Sequence, residues 1–227
     1  MNAPPSIEHI MGTDHMGRDL FSRILSGCKY SIAIALLTIS LSIPAGATIG
    51  LYSGYVGGKI DRLFSIFFEA LYAFPSLLLA LLIALMMGPG ILNTAMAISV
   101  GFVPRYFRLV RSVSFSVKGR PFVEAEISLG ASSAHIVFKH LLRYALPSII
   151  TLSSINLGWA IVTLSSLGFL GLGIPAPAPE WGSMLGRGRD FLLSGVWWST
   201  FFPGLMIVIA VAGFVLIAEG WKKVMSY

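Results

Sequence analysis

Residues 30–58 read YSIAIALLTISLSIPAGATIGLYSGYVGG and contain no Asp, Glu, Lys or Arg. A helix that crosses a membrane needs roughly 20 consecutive apolar residues, so this stretch is long enough for one crossing. Three further stretches are equally free of charged residues: 70–104, 144–179 and 191–218. The fold class that this pattern predicts is an all-α integral membrane protein.

The composition of the whole chain agrees with a membrane location. Of the 227 residues, 11% are charged and 56% are hydrophobic, and the mean hydropathy is +0.82. A soluble domain carries about 25% charged residues, so the composition excludes an ordinary soluble enzyme, a disordered chain and a coiled coil. A transmembrane barrel is excluded because its strands would alternate apolar and polar residues. The single cysteine, Cys28, excludes a disulfide framework.

The charge-free stretches predict about five transmembrane helices. The stretch 70–104 contains Gly88-Pro89-Gly90, a turn signal that divides it into two helices. The predicted spans are residues 31–53, 66–88, 91–112, 148–172 and 199–219. We expect residues 1–30 to form an extracytoplasmic tail and residues 31–227 to form the transmembrane domain.

The lysine and arginine residues predict the orientation of the chain. Eleven of the sixteen lie on the side that holds loop 54–65, segment 105–147 and the C-terminal tail. The other side, with the N-terminal tail and loop 173–198, holds five. Because loops rich in basic residues stay in the cytoplasm, the first side is cytoplasmic and the N-terminus lies outside. The acidic residues divide equally, so the net charge of +6 indicates orientation and not nucleic-acid binding.

The outer tail carries a polar segment, residues 12–25, with the sequence GTDHMGRDLFSRIL. Its apolar residues share one face at helical spacing, and they are Leu20, Phe21, Ile24 and Leu25. This pattern predicts an interfacial helix that leads into the first span, with Asp14 as its N-terminal cap. Both an anchor at the lipid headgroups and a docking element for an outer partner fit this spacing.

The cytoplasmic segment 118–140 reads KGRPFVEAEISLGASSAHIVFKH. Pro121 suits the first turn of a helix, and Gly130 suits a left-handed C-terminal cap. Ser132 or Ser133 can begin a second helix. The segment is therefore predicted to be a helix–glycine–helix unit with exposed apolar residues. Such a unit docks against a partner protein or lies as a helix pair on the membrane surface.

The outer loop 171–185 reads GLGIPAPAPEWGSML. Its alternating prolines favour stiff polyproline II structure. Trp181, Trp197 and Trp198 are typical of an aromatic belt at the membrane interface. A rigid loop that re-enters the membrane accounts for these residues.

The chain shows no pattern for catalysis or nucleotide binding. Gly57-Gly58-Lys59 is similar to the end of a phosphate loop, but Ser53 replaces the first required glycine. Ile60 replaces the Ser or Thr that would hold magnesium. No Ser–His–Asp arrangement, carboxylate pair or zinc spacing occurs either.

The four histidines predict no metal site. His9 and His15 have no carboxylate companions at ligand spacing. His135 and His140 lie on the cytoplasmic segment that is predicted to face a partner, where they are most simply surface residues.

Together, the three polar segments resemble one family, the C-type permease subunits of ATP-binding cassette (ABC) importers for dipeptides, oligopeptides and nickel. Residues 12–19 are similar to its GTDxxGRD segment, residues 124–130 to its EAA loop, and residues 166–185 to its SFLGLG…PxWGxML region. The sequence departs from the family at Glu126, where the EAA loop normally has Ala. Such subunits usually have a further span before GTDxxGRD, so either this is a five-span variant or its start lies upstream of Met1.

The resemblance implies a type I importer permease fold with a cytoplasmic coupling helix. The implied partners are a second homologous permease, two cytoplasmic ABC ATPases and an extracytoplasmic substrate-binding protein. ATP and Mg²⁺ belong to the ATPases, so we expect no cofactor, no metal and no catalytic residue in this chain. Residues expected to couple to the ATPase, within 118–147, are Glu124, Ala125, Glu126, Gly130, Ala131, His135, Phe138 and Lys139. The extracytoplasmic family motif comprises Gly12, Thr13, Asp14, Gly17, Arg18, Asp19, Trp181 and Gly182.

The predicted function is peptide import through a multi-pass protein of a prokaryotic inner membrane. Import of nickel or a metal chelate is the alternative within the family. A secondary transporter would need ionisable residues and internal repeats in its spans. A membrane scaffold without a transport function would not need a capped cytoplasmic helix pair.

Overall fold

The computed structural model describes residues 1–175 and 177–225. Ala176 of the proline-rich loop and the last two residues of the predicted transmembrane domain lie outside the described residues. The helices are α1 Leu20–Val56, α2 Gly58–Ala73, α3 Ser76–Met87, α4 Ile91–Lys118, α5 Pro121–Ser128, α6 Ser133–His135, α7 Leu142–Phe169, α8 Trp181–Leu192 and α9 Trp198–Met225. A π-helical turn, Ile136–Leu141, joins α6 to α7. The described part of the chain contains no strand, which confirms the all-α class.

Helices occupy all five predicted span positions. Three are long and apolar enough to cross a membrane as single helices: α1, the continuous helix Ser133–Phe169, and α9. The pair α2 and α3 meets the same measure only as one bent unit, with an angle of 90° between its halves. The predicted span 66–88 is therefore not a straight helix. The fifth, α4, extends six residues beyond its predicted end at residue 112 and carries three arginines.

The bend between α2 and α3 has a local cause at Pro75. The ring of a proline excludes the preceding residue from helical backbone angles, and Phe74 has an extended ψ of 137°. Proline also lacks the amide N–H that a continuing helix would use. The helix therefore ends at Ala73 and restarts at Ser76 in another direction.

The core lies between α1, α4 and α7. Its largest fully buried side chains include Ile34, Leu51, Phe102, Tyr106 and Leu164. The backbones of α1 and α4 approach closely at Gly46, where an added Cβ would lie 2.6 Å from the Val103 carbonyl oxygen. Small residues at such crossings allow close packing of membrane helices.

An ion pair fixes the N-terminal end of α2 to this core. Asp61 accepts hydrogen bonds from Nε of Arg111 at 2.5 Å and from Nη2 at 2.6 Å. The Ser53 hydroxyl of α1 donates to the same carboxylate at 2.6 Å. Three helices thus converge on one buried carboxylate.

One face of α3 packs against α4, and the rest of its apolar surface is exposed. Its buried residues are Ala80 and Ala84, while Leu78, Leu82 and Leu85 are all more than half exposed. In a membrane protein, such a surface faces lipid or another membrane subunit.

Candidate functional site

The segment between α4 and α7, which is predicted to be cytoplasmic, is a pair of helices joined by a tight turn. Pro121 is the first residue of α5, and Ser132 caps α6 by accepting a hydrogen bond from the His135 amide at 3.3 Å. Gly130 has a φ of +83°, in the left-handed region. The predictions for Pro121, Gly130 and Ser132 are confirmed.

The turn after α5 is a Schellman motif, which closes the helix with two backbone hydrogen bonds. The Ala131 amide donates to the Glu126 carbonyl, and the Gly130 amide donates to the Ile127 carbonyl, both at 3.0 Å. These bonds satisfy carbonyl groups that the helix end would otherwise leave free. The segment is therefore rigid through its own local bonds.

The segment is anchored on one side and exposed on the other. Val123, Ile136 and Val137 are fully buried in the core. Leu129 is 84% exposed, and Phe138 is 53% exposed. None of the eight residues predicted to couple to an ATPase is buried: Glu124, Ala125, Gly130, His135, Phe138 and Lys139 are exposed, and Glu126 and Ala131 are half-buried. Their contact with an ATPase stays a prediction.

The N-terminal tail, which is predicted to lie on the outer side, forms a compact loop organised by Asp14. This carboxylate accepts hydrogen bonds from the amides of Met16 and Arg18 and, at 2.8 Å, from Nε of Arg18. The predicted helix cap is wrong, because the N-cap of α1 is Asp19, whose carboxylate accepts from the Ser22 amide at 2.8 Å. Asp14 is instead used to close the loop before the helix.

The separate interfacial helix is also corrected by the structure. Residues 20–25 are the first turns of α1, which continues without interruption into the first span. Leu20 and Ile24 are buried, whereas Phe21 is 38% and Leu25 is 54% exposed. The buried pair packs against α8 and α9 because these helices fold back over the start of α1.

Three arginines surround Asp14 on the outer side. Nε of Arg23 lies 3.4 Å from the carboxylate that Arg18 also contacts, and Arg187 of α8 lines the same small pocket. Burial acts to raise the pKa of Asp14, but hydrogen bonds from the backbone and side chain of Arg18 outweigh it, and the pKa lies below its usual value. Nη2 of Arg18 is buried without a hydrogen-bond partner.

Two tryptophans lock the tail and α8 to the helix bundle. Nε1 of Trp198 donates to the Thr13 carbonyl at 3.2 Å, and Nε1 of Trp181 donates to the Ile24 carbonyl at 3.0 Å. The prediction of an aromatic belt is wrong for both, since Trp181 is 1% and Trp198 is 8% exposed. Each indole finds a backbone carbonyl inside the protein, and Trp197 is left as the exposed member of the three.

The outer loop 173–198 contains the helix α8 and an acid that the sequence analysis did not single out. Glu180 is fully buried and caps α8 by accepting hydrogen bonds from the amides of Gly182 and Ser183. Burial raises the pKa of Glu180, and the amide hydrogen bonds offset this only in part. The sequence signal that could have revealed this N-cap is an acidic residue that follows a proline and stands just before a helix.

A polar network inside the bundle was also missed. Arg105 of α4 donates through Nη1 to the side-chain oxygen of Asn156 in α7 at 3.1 Å. The same arginine lines a cavity of about 300 Å³ at the bend between α2 and α3, together with Tyr72 and Ser76. The signal was an arginine inside a predicted span, because ionisable groups within spans mark functional positions.

These features define a class of protein. It is a helical membrane protein in which buried hydrogen bonds hold the N-terminal tail and α8 on the bundle, and in which an exposed helix pair lies between α4 and α7. A membrane subunit that works with partner proteins can have this construction.

The comparisons identify the family. A family model described as the binding-protein-dependent transport system inner membrane component matches residues 46–226, and the chain belongs to this family. It is a multi-pass permease subunit of an ABC importer in a bacterial inner membrane, and it works within a transporter complex. The family consists of transport permeases and not of enzymes.

The curated relatives cover nearly the whole chain. The dipeptide transport system permease protein DppC of Alkalihalophilus pseudofirmus is 40% identical over 98% of this chain and 73% of its own length. The probable D,D-dipeptide transport system permease protein DdpC of Escherichia coli is 37% identical over 98% and 74%. The glutathione transport system permease protein GsiD of Pectobacterium atrosepticum is 36% identical over 100% and 75%.

Solved structures show the same fold. The membrane subunit of the MetNI methionine ABC transporter, in an inward-facing conformation, aligns with 90% of this chain and 97% of its own with a TM-score of 0.72. The sequence identity is 19%, so this likeness concerns the fold alone. The type I permease fold that the sequence motifs implied is thereby confirmed.

Proposed function

We propose that this permease carries short peptides, of which dipeptides are the simplest, into the cell. The observation that supports this substrate class is the similarity to relatives named for dipeptides, D,D-dipeptides and glutathione. The test is uptake by the reconstituted transporter, with its binding protein and ATPases, of a labelled dipeptide against Ni²⁺. Nickel uptake without dipeptide uptake would overturn the proposal in favour of the metal alternative.

We further propose that a second permease, two cytoplasmic ATPases and an outer binding protein complete the transporter. ATP and Mg²⁺ would bind to the ATPases. The exposed apolar residues Leu129 and Phe138 on the rigid helix pair support docking into an ATPase. Because the Schellman turn is stiff and its root is buried, movement of a docked ATPase would be transmitted to α7.

Gly130 provides a test of this coupling. The position is open, but its φ of +83° excludes an unstrained valine, so Gly130→Val should distort the turn. Gly119→Val is a matched control, since Gly119 is equally open and has a φ of −92°. We expect G130V to hydrolyse ATP without uptake or to lose the ATPase on purification. Wild-type transport by G130V, or an equal loss in G119V, would contradict the proposal.

The bend between α2 and α3 is our candidate for part of the pathway. The cavity there is large enough for a small ligand, and Arg105 supplies a positive charge at its wall. An arginine fits a carboxylate well, because its planar donors form two parallel hydrogen bonds. Arg105→Gln should therefore raise the concentration of peptide needed for half-maximal uptake. An unchanged concentration dependence would exclude this position from the pathway.

On the outer side, the cluster of Arg18, Arg23 and Arg187 supports docking of an acidic surface of the binding protein. The three positive charges exceed the single charge of Asp14 in the same pocket. Charge complementarity of this kind speeds association and is weakened by salt. Binding of the partner should become weaker as ionic strength rises, and salt-independent binding would contradict this placement.

A further inference from the structure

Three side chains on the cytoplasmic segment bring two imidazoles and a carboxylate together. Nε2 of His140 lies 3.1 Å from Oε1 of Glu126, and Nε2 of His135 lies 3.8 Å from Oε2 of the same residue. One ligand atom from each of the three side chains lies within 4.8 Å of the other two. Glu126 belongs to α5, whereas His135 directly precedes the π-helical turn and His140 lies within it, so the cluster bridges two helical segments.

The π-helical turn is what brings the two histidines together. In an α-helix, residues five apart in sequence point about 140° away from each other, since each residue turns the helix by about 100°. A π-helix forms hydrogen bonds between residues five apart and therefore places them on one face. His135 and His140 have this spacing across the turn Ile136–Leu141, and their ring centroids are 5.8 Å apart. Such turns occur frequently at functional sites.

The geometry of the three ligand atoms is compatible with a bound metal ion. Nε2 of His140 is buried and makes no hydrogen bond of acceptable geometry, although it is close to the Glu126 carboxylate. Ligands about 2.0–2.1 Å from a tetrahedral zinc ion stand roughly 3.4 Å from each other. The distances from His140 Nε2 to Oε1 of Glu126, 3.1 Å, and from His135 Nε2 to Oε2, 3.8 Å, lie on either side of this value. Imidazole nitrogen and carboxylate oxygen are ordinary zinc ligands.

We propose that Glu126, His135 and His140 bind a divalent transition-metal ion of the Zn²⁺ class. Three protein ligands leave a fourth position for water. The proposal replaces the expectation, drawn from the sequence, that the chain holds no metal. The site fixes α5 to the root of α7, so a bound ion stiffens the coupling segment. This consequence for coupling rests on the proposed function, whereas binding of the ion does not.

The test is a zinc titration of the purified full chain in detergent, in competition with a chromogenic chelator. We expect one saturable site per chain. His140→Ala and Glu126→Gln should each weaken binding at least about tenfold, since loss of even an indirect partner of a metal commonly costs this much. The matched control, His9→Ala with His15→Ala, removes the other two histidines of the chain and should bind zinc like the wild type.

Three results would overturn the site: no saturable zinc binding by the wild type, unchanged binding by H140A, or an equal loss in the H9A/H15A control. Circular dichroism of each variant checks that a loss of zinc binding is not caused by a loss of helical structure.

In the assembled transporter, zinc should change the rate of peptide-stimulated ATP hydrolysis in the wild type and not in H140A. If zinc binds but the rates agree, the effect on coupling is refuted and the site stands. If no ATPase co-purifies, the proposed function fails, and the titration still decides the site.

Discussion

The outer and cytoplasmic motifs of this permease are built in opposite ways. On the outer side, Thr13, Trp181 and Glu180 are buried, and indole hydrogen bonds join residues more than 150 positions apart. On the cytoplasmic side, Leu129 and Ile127 are exposed, and the turn is held by bonds between neighbours. The difference indicates that the outer motif holds the fold together while the coupling segment is available to a partner. Substitutions in the two regions should therefore affect different properties.

The largest effect on stability is expected for Trp181→Ala. The side chain is 1% exposed and donates to the Ile24 carbonyl, so its removal leaves a cavity and deletes a buried hydrogen bond. Truncation of a large buried aromatic costs about 3–5 kcal/mol of unfolding free energy. SDS titration of the purified protein in mixed micelles measures this. Trp197→Ala is the control: Trp197 is 49% exposed, and the loss should stay below about 1 kcal/mol. Equal losses in both variants would remove the basis for the comparison.

Gly182→Ala tests the close approach of α8 to α7. An added Cβ would overlap the carbonyl group of Ser165, and backbone atoms cannot move away as a flexible side chain does. We expect a loss of about 3 kcal/mol, at the upper end for overpacking. Gly213→Ala in α9 is the matched control, because no atom lies within 4 Å of its added Cβ. A helical glycine replaced by alanine without contact gains about 0.5–1 kcal/mol. The two changes should thus have opposite signs.

Asp14→Asn should lower stability by about 1–3 kcal/mol at neutral pH, because it removes charge-assisted hydrogen bonds from Arg18. The pKa of Asp14 is lower in the folded state than its ordinary value of 3.8. The stabilisation is therefore complete well above pH 3.8 and is lost as the pH falls through the folded pKa. Unfolding midpoints of wild type and variant should converge in acid.

The control for this pH dependence is Asp190→Asn. Asp190 is also on the outer side, but its side chain is 64% exposed beside Arg189. Exposed ion pairs contribute about 0–1 kcal/mol, so this variant should follow the wild type across the whole pH range. A constant difference between Asp14→Asn and wild type from neutral to acid pH would contradict the assignment of the effect to the carboxylate charge.

Local signals in the sequence predicted the parts of the structure that local forces decide. Pro121, Gly130 and Ser132 were correctly placed because a helix start, a left-handed turn and a cap each depend on a few adjacent residues. The charge-free stretches likewise placed helices at the five predicted positions, although only three of these helices cross as single spans by length and hydropathy and α2 with α3 forms a bent pair. The resemblance to an importer permease rested on three short sequence motifs, each of which can be recognised without knowledge of distant contacts.

Features that depend on distant contacts were not predictable from the sequence. Asp14 and Asp19 are both suitable caps, and only the loop around Arg18 decides between them. A tryptophan near a span is equally consistent with a lipid interface and with a buried contact to a carbonyl 157 residues away, as Trp181 shows. The proximity of His135 and His140 required a π-helical turn, for which residue spacing in an α-helix gives no signal.

The smallest effect on stability is expected for Leu129→Asp. This variant also separates most clearly the contribution of the coupling segment to partner binding from that of the outer motif to stability. Leu129 is 84% exposed, so the charge should change the free energy of unfolding by less than about 0.5 kcal/mol. Coupling should nevertheless fail, because a charge in an apolar docking surface must be desolvated on binding of the ATPase. The measurements are retention of the ATPase on purification and ATP-driven uptake by the reconstituted transporter.

Leu193→Asp is the matched control for this last variant. Leu193 is 101% exposed and lies beyond α8, on the side predicted to be extracytoplasmic. Its replacement should leave both stability and ATPase retention unchanged, since it introduces the same charge at an equally exposed leucine away from the coupling segment. Loss of the ATPase in Leu129→Asp alone would assign docking to the cytoplasmic helix pair. Retention of the ATPase in both variants would mean that Leu129 is exposed for contact with the membrane surface. The helix pair would then lie on the membrane and would not transmit movement from an ATPase.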